Sequence, residues 1–226
     1  MDRTAVSGTA GTGSIPVGGA RITNTLIAIV LRASLVRKSA IRVLFIYQGG
    51  RESIHMAGKR VIVESYNSNW KKDFEDIRSE LMAVLEGKVL RLEHVGSTSV
   101  EGLSAKPVID IDVVIEDEAS FAAVKDALES IGYTHEGDLG IPGREAFKYE
   151  GKEHLRKHHL YVCTKDAREL RRHISFRDYL RAHPDAVREY SRVKEEGAKL
   201  YPQDIDSYVE HKAPFIEGIY KEIGLI

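Results

Sequence analysis

The chain has a single cysteine, Cys163, among its 226 residues, so no disulfide can form within it. It also has almost no net charge, because 33 lysines and arginines balance all but one of 34 aspartates and glutamates, which leaves −1 at pH 7. This balance does not favour general binding to nucleic acid. A chain without disulfides fits a reducing compartment, and we expect a cytoplasmic protein.

A long uninterrupted apolar run is missing as well. The most apolar stretch near the beginning of the chain is divided by four basic residues, Arg32, Arg37, Lys38 and Arg42. The resulting pieces are well short of the roughly 20 residues that a membrane-spanning helix needs. We therefore expect no membrane span.

The first 55 residues differ in composition from the rest. Residues 1–20 are rich in Gly, Ser and Thr, which is typical of flexible chain, and residues 1–51 contain one acid against seven lysines and arginines. Three interpretations stay open: an extension upstream of a native start at Met56, a targeting or anchoring peptide, and a real disordered tail. We predict a disordered or low-complexity extension over 1–55 and a folded domain over 56–226.

From residue 61 onward, helix and strand patterns follow one another. Helices are expected where apolar residues recur at helical spacing, and strands where short β-branched runs occur. The predicted helices cover 69–86, 118–131, 166–182, 185–200 and 205–222. The predicted strands cover 89–95, 108–115, 144–150 and 157–163, with a short strand near Tyr133. This order predicts an α/β (α+β) fold, a small mixed sheet flanked by helices, with a helical C-terminal segment.

Two aspartates stand two residues apart in the most apolar of these strands. Because side chains alternate along a strand, Asp110 and Asp112 are expected on one face, with Cβ atoms roughly 6–7 Å apart. An edge strand would leave them solvated, but the flanking valines and isoleucines favour a buried strand. Two like charges there are costly unless a divalent cation neutralises them, so we predict that both aspartates are metal ligands.

A Gly96-Ser97 turn precedes the strand that carries the aspartates. Alone it would be an ordinary turn, but beside the aspartates its backbone N–H groups can hold phosphate. The combination predicts a site for a metal–nucleotide complex. Lys106, just before Pro107, is either a loop lysine or a further cation for phosphate.

Longer motifs in the same order resemble the GrpB family. They are residues 93–99 (EHVGSTS), 106–113 (KPVIDIDV) and 177–184 (RDYLRAHP), Tyr190 with Lys194, and Tyr208 with residues 212–216 (KAPFI). The resemblance covers roughly residues 61–223 and leaves 1–55 unmatched. That family belongs to the nucleotidyltransferase superfamily. The resemblance therefore implies a nucleotidyltransferase-like fold and Mg²⁺-dependent transfer of a nucleotide from a nucleoside triphosphate to an unknown acceptor.

The resemblance also implies roles for individual residues. The implied nucleotide-binding residues are Gly96, Ser97, Thr98, Lys106, Lys194 and Lys212. The implied catalytic residues are Asp110 and Asp112, which would hold Mg²⁺. His159, expected on one strand face with Tyr161, is predicted as a third catalytic residue, a base or orienting group, although a structural histidine is the other interpretation. The superfamily commonly adds a third carboxylate from a later strand, and we find none here. Where the family pattern has His-x-His, this chain has His159-Leu-Tyr161.

The missing third carboxylate and the tyrosine at position 161 leave an alternative function open, a catalytically inactive nucleotide-binding or regulatory module.

Other residues also carry two interpretations. His154 and His158 have the i, i+4 spacing of a zinc pair on a helix, but a loop entering a strand is the expected context. Arg144 and Lys148 share a strand face and either reach phosphate or are solvated. Cys163 is expected in the core.

Overall fold

The computed structural model describes residues 60–226, so the predictions for the extension and for a start at Met56 lie outside the described residues. The described helices and strands are, in chain order, α1 Asn69–Leu85, β1 Arg91–Val95, β2 Ile109–Ile115, α2 Phe121–Ser130, β3 Tyr133–Gly137, β4 Arg144–Tyr149, β5 His158–Thr164, α3 Arg168–Ala182, α4 Pro184–Leu200 and α5 Ile205–Glu222. Short 3₁₀ helices occur at Ser97–Ser99 and Glu118–Ser120. Of these helices, none combines the length and apolarity that crossing a bilayer requires.

The predicted fold class is confirmed, and most ends of helices and strands fall within two residues of the prediction. The predicted helix over 118–131 is the main difference, because its first turn is 3₁₀ and the α-helix begins only at Phe121. Asp117 explains this start. Its Oδ1 accepts hydrogen bonds from the backbone N and the hydroxyl of Ser120, at 3.0 and 2.9 Å.

The strand with the two aspartates is internal to the sheet. The strand order is β1-β2-β5-β4-β3, so β2 has β1 on one side and β5 on the other. The β2–β5 pair is parallel, and the other three pairs are antiparallel. Because β2 has hydrogen-bonded neighbours on both sides, the interpretation of Asp110 and Asp112 as solvated edge-strand acids is excluded.

The two faces of the sheet have different partners. One face carries the alternate apolar residues of β2 and β5, such as Ile111 and Leu160, which pack against α1 and α2 through Trp70, Ile77 and Leu128. The other face carries the aspartates. There, Leu170 of α3 packs with Val114 and Cys163, so the expected burial of Cys163 is confirmed. The period-two alternation of β2 thus separates a core face from a polar face.

The C-terminal helices are anchored on the segment between β1 and β2. Val100 and Leu103 of that segment pack with Leu180, Val187, Tyr190 and Ile219 from α3, α4 and α5. Polar contacts reinforce this packing, because Ser104 N donates to Ser191 Oγ at 3.0 Å and Ser104 Oγ donates to Glu195 Oε1 at 2.7 Å. The segment that follows the Gly96-Ser97 turn is therefore held against α4.

His158, at the start of β5, is buried in a neutral form. Its Nδ1 donates to the Arg156 carbonyl and its Nε2 accepts from the Tyr133 hydroxyl, both at 2.8 Å. Burial lowers the pKa of His158 from 6.5 to about 4, although the Arg156 carbonyl opposes the shift. Between pH 6.5 and about pH 4, the unfolded chain therefore binds a proton at His158 that the folded chain excludes. The stability that neutral, buried His158 contributes is present above pH 6.5 and is lost as the pH falls toward 4.

We predict that His158→Asn reduces the acid sensitivity of folding. Between pH 7 and pH 5, the free energy of unfolding should fall by about 2 kcal/mol less in the variant than in the wild type. Urea denaturation at the two pH values measures the difference. His183→Asn, at an exposed histidine, is the control and should keep the wild-type loss. An equal loss in His158→Asn would show that His158 does not contribute to the acid sensitivity.

Candidate functional site

Asp110 and Asp112 lie side by side on the face of β2 that α3 covers. Asp110 is opposite Val95 on β1 and His159 on β5, and Asp112 is opposite Glu93 and Tyr161. Directly opposed residues of neighbouring strands share a face of the sheet. Both carboxylates, the imidazole of His159 and the ring of Tyr161 are therefore on one surface.

Each aspartate is hydrogen-bonded to a histidine. His159 Nδ1 lies 2.8 Å from Asp110 Oδ1, and His173 Nδ1, from α3, lies 2.7 Å from Asp112 Oδ2. Because an ionised carboxylate only accepts, the imidazole N–H donates in both pairs. Asp112 is fully buried, and its Oδ1 has no hydrogen-bond partner in the described part of the chain.

The surrounding charges favour the ionised form of Asp110. Burial alone would raise the pKa of Asp110, but the hydrogen bond from His159 and the charges of His159, His173 and Lys212 lower it below its usual value. Burial would lower the pKa of His173, but the charge of Asp112 and the hydrogen bond to it raise the pKa overall. The contact with Asp112 therefore favours the imidazolium form of His173.

Gly96 brings the turn that was predicted to bind phosphate against Asp110. Its φ of 68° is in the left-handed region, and a Cβ built on it would lie 2.9 Å from Asp110 Cγ and overlap Oδ2. Only glycine fits so close an approach without displacing the carboxylate. Two hydrogen bonds hold the turn in place. Ser99 Oγ donates to Gly96 O at 2.6 Å, and the Arg181 guanidinium donates to Ser99 O at 2.8 Å.

Lys194 of α4 reaches this turn, and Lys212 of α5 lies near Asp110. Lys194 is 2% exposed, and its Nζ donates to Ser97 Oγ at 3.1 Å and lies 4.3 Å from the centre of the Tyr190 ring. Burial and the charge of Lys212 lower the pKa of Lys194 well below its usual value. Burial and the charge of Lys106 lower the pKa of Lys212 to about 8, and Asp110 opposes that shift.

Lys106 completes this group. Burial lowers its pKa, the charge of Lys157 adds to the effect, and Asp110 opposes it. The predicted nucleotide-binding lysines therefore lie close enough to influence one another and Asp110, although they come from a loop and two helices. Cations collected in this way, beside a Gly-Ser turn, suit a polyanion.

Thr98 has a different position from the one that its predicted role suggests. Its side chain is 1% exposed, its Oγ1 donates to the Val108 carbonyl at 3.3 Å, and His94 Nε2 lies 3.0 Å from the same oxygen. The hydroxyl is thus used inside the protein. The predicted contact with a nucleotide would be left to the main-chain N–H of Thr98.

Among residues 60–226, a third carboxylate does not join the two aspartates. On β5 the adjacent positions are His159 and Tyr161. On β1, Glu93 is opposite Asp112, but its carboxylate accepts from Arg177 at 2.6 Å and from Arg91 at 2.7 Å. Within residues 60–226, no group of three or more His, Cys, Asp or Glu side chains is arranged to hold a metal ion.

Two carboxylates nevertheless fit a magnesium ion that arrives with phosphate. Mg²⁺ commonly takes one or two protein carboxylates and completes its six ligands with substrate phosphates and water. Such an ion would use two oxygens. One is the buried Oδ1 of Asp112, which has no hydrogen-bond partner in the part of the chain that the structure describes, and the other is the Oδ2 of Asp110, which faces Gly96.

Several side chains around the site escaped the sequence analysis. His173, which bonds Asp112, was not predicted, and Arg177 was noticed only as part of a motif. Both lie on the buried stripe of α3 together with Leu170 and Leu180. A polar residue at helical spacing within an apolar stripe is the signal that points to them.

The remaining candidates do not join the site as pairs. His154 bonds Glu80 at 2.8 Å while His158 is buried against Tyr133, so the two histidines do not form a zinc pair. Arg144 is 2% exposed and its guanidinium lies 4.2 Å from the centre of the Tyr161 ring, so the interpretation as a solvated charge is wrong for this residue. Lys148 is exposed and pairs with Glu136 at 3.6 Å.

Comparison with known proteins gives a consistent family assignment. The sequence matches the family described as GrpB protein over residues 60–222. Glutamate-rich protein GrpB of Alkalihalophilus pseudofirmus is 36% identical over 166 residues, which are 72% of this chain and 95% of that protein. UPF0157 protein YqkA of Bacillus subtilis is 32% identical over 164 residues, or 72% of this chain, but the match spans only 47% of that relative.

Solved structures include one relative of the same kind. The crystal structure of the conserved protein GrpB from Enterococcus faecalis superimposes with a TM-score of 0.63 at 36% identity, covering 71% of this chain and 96% of that one. A structure of the Cid1 poly(U) polymerase with MgGTP bound gives a TM-score of 0.44 at 12% identity, covering 61% of this chain and 44% of that one. A likeness that distant says nothing about the chemistry of this chain.

We predict that Gly96→Ala destabilises the domain more than Gly87→Ala does. Both glycines have positive φ, but a Cβ at Gly87 meets nothing within 4 Å, whereas one at Gly96 overlaps Asp110. The matched control therefore removes the backbone penalty, of roughly 1 kcal/mol, from the comparison. Urea denaturation should show an additional loss of about 1–3 kcal/mol for Gly96→Ala. Equal losses would mean that the turn moves away from Asp110 freely.

We also predict that Lys194→Met leaves the domain at least as stable as the wild type. Methionine fills a similar volume without the cost of burying an ammonium group, so the free energy of unfolding at pH 7 should be unchanged or higher by up to roughly 3 kcal/mol. Because the depressed pKa of Lys194 means that this cost fades as the pH rises toward 10.5, any gain should shrink at pH 9.5. Lys199→Met, at an exposed position of α4, is the control. A clear loss of stability in Lys194→Met alone would contradict the prediction.

Proposed function

The chain belongs to the GrpB family, and from that premise we propose that its domain binds a nucleoside triphosphate with Mg²⁺ and transfers a nucleotide to an acceptor. The observation that carries the proposal is the meeting of three features at one place. Gly96 lies against Asp110, Ser97 bonds Lys194, and Lys212 is close enough to Asp110 for their charges to interact. The carboxylates that could bind a metal ion are therefore next to the hydroxyl and amino groups that could bind phosphate.

The roles of the residues follow from their chemistry. Ser97 and Lys194 would hold the terminal phosphates. The Ser97 hydroxyl accepts from Lys194 Nζ and keeps its own proton to donate, and the Lys194 side chain has further N–H groups. Lys106 and Lys212 would balance the remaining phosphate charge. Asp110 and Asp112 would hold Mg²⁺, which when bound neutralises the triphosphate and aligns the α-phosphorus for in-line attack.

His159 would orient the site and accept a proton. Its Nδ1 is committed to Asp110 at 2.8 Å, so a proton exchanged with the acceptor would pass through Nε2. In the neutral imidazole, the hydrogen bond to Asp110 holds the proton on Nδ1, so Nε2 is the nitrogen that would accept a proton. His159 therefore suits the role of base or orienting group that the sequence analysis gave it.

A second candidate function is a nucleotide-binding or regulatory module without turnover. It is favoured by the positions beside Asp110 and Asp112 on β5, where His159 and Tyr161 stand in place of an acid. Glu93, on the other side, is held by two arginines. The two candidates agree on binding and differ in whether pyrophosphate is released.

We predict that replacing both acids, Asp110→Asn with Asp112→Asn, abolishes Mg²⁺-dependent binding of nucleoside triphosphates. The amides keep the shape of the side chains but remove the charge that a divalent cation needs. Calorimetry with each of the common triphosphates, with and without Mg²⁺, measures the effect. Asp126→Asn, at an exposed position of α2, is the control. Unchanged Mg²⁺-dependent binding in the double variant would refute the metal site.

Turnover is measured separately. The wild-type chain, incubated with labelled triphosphates, Mg²⁺ and a cell metabolite extract, should release pyrophosphate and label an acceptor, and the double variant should not. Binding without pyrophosphate release would favour the regulatory module instead.

A further inference from the structure

Asp112 is held by a residue from outside the sheet. His173 of α3 donates through Nδ1 to Asp112 Oδ2 at 2.7 Å, while Oδ1 of the same carboxylate is buried and has no hydrogen-bond partner among residues 60–226. A buried carboxylate oxygen that lacks a partner is costly. As a purely structural ion pair, the Asp112–His173 contact is therefore incomplete.

The neighbouring aspartate repeats the arrangement. His159 Nδ1 donates a hydrogen bond to Asp110 Oδ1 at 2.8 Å, and Asp110 Oδ2 faces the Gly96 turn. In each pair a histidine occupies one oxygen and leaves the other for a different partner. Carboxylates that ligate metals are held by outer hydrogen bonds of this kind.

We propose that His173 is a positioning residue of the cation site, whose hydrogen bond to Oδ2 turns Asp112 so that Oδ1 is presented to the ion. The inference rests on the proposed function, because that function supplies the ion. His173 acts through Asp112 and touches neither the ion nor the phosphate. Because His173 lies on α3, the orientation of Asp112 depends on how α3 packs on the sheet.

The ion is expected to bind together with phosphate rather than alone. The site offers two carboxylates, each with one oxygen already taken, and a hexacoordinate Mg²⁺ needs further oxygen ligands. The charges of Lys106 and Lys212, both of which interact with Asp110, also oppose a bare cation. The quantity to measure is therefore the gain in affinity that Mg²⁺ gives to a polyphosphate, and inorganic tripolyphosphate is the probe.

The experiment compares the full chain with single variants by calorimetry, using tripolyphosphate with and without Mg²⁺. His173→Phe keeps an aromatic ring but has no donor. It should reduce the Mg²⁺-dependent gain in affinity by about 10–100-fold and leave the metal-free affinity unchanged. His173→Asn should restore most of the gain, because its amide nitrogen can occupy the place of Nδ1. His154→Phe, at an exposed histidine, is the control and should behave as the wild type.

The outcomes separate this inference from the proposed function. If the wild type gains no affinity from Mg²⁺, the cation site and the role of His173 both fall. If the wild type gains affinity and His173→Phe keeps the full gain, only the role of His173 is overturned. A metal-free affinity that falls as much as the Mg²⁺-dependent one would mean that His173 supports the fold in general, which also overturns the inference. Should His173→Phe not fold, His173→Gln, whose longer amide misses the place of Nδ1, replaces it with the same expectation.

Discussion

Two carboxylates side by side on an inner strand, the fully buried Asp112 and the half-buried Asp110, govern much of the surrounding structure. Left alone, two carboxylates in that position would be strongly unfavourable. A histidine donates a hydrogen bond to each carboxylate, and the charge of Lys212 near Asp110 stabilises its ionised form. The tight approach of Gly96 follows from the same constraint, because no side chain fits between the turn and the carboxylate.

The cationic side of the site carries a cost of its own. Lys194 and Lys212 are placed where burial disfavours their charge, and their depressed pKa values reflect that cost. Natural proteins often keep such unfavourable groups where a ligand needs them, at the expense of stability. The lysines also come from helices that follow the sheet in the chain, so a polyanion at the turn would bridge the sheet and the C-terminal helices.

Local patterns predicted the order of the helices and strands, because period-two and helical spacings of apolar residues register burial directly. They also placed the two aspartates on one face. The partners of these residues were beyond such patterns. His173 is 61 residues from Asp112, and Arg177 is 84 residues from Glu93. These contacts depend on how α3 docks on the sheet. The burial of Thr98 and Arg144 depends likewise on tertiary packing, which neither spacing nor residue type specifies.

The burial of Cys163 has a practical consequence. It lies on the same side of the sheet as the aspartates, packed with Leu170 of α3, and burial raises the pKa of its thiol. A protonated, enclosed thiol hardly reacts with alkylating reagents. Since the sequence has no other cysteine, its rate of labelling would record how often α3 lifts from the sheet. The thiol of Cys163 is thus a chemical reporter of how often α3 opens away from the face of the sheet that carries the aspartates.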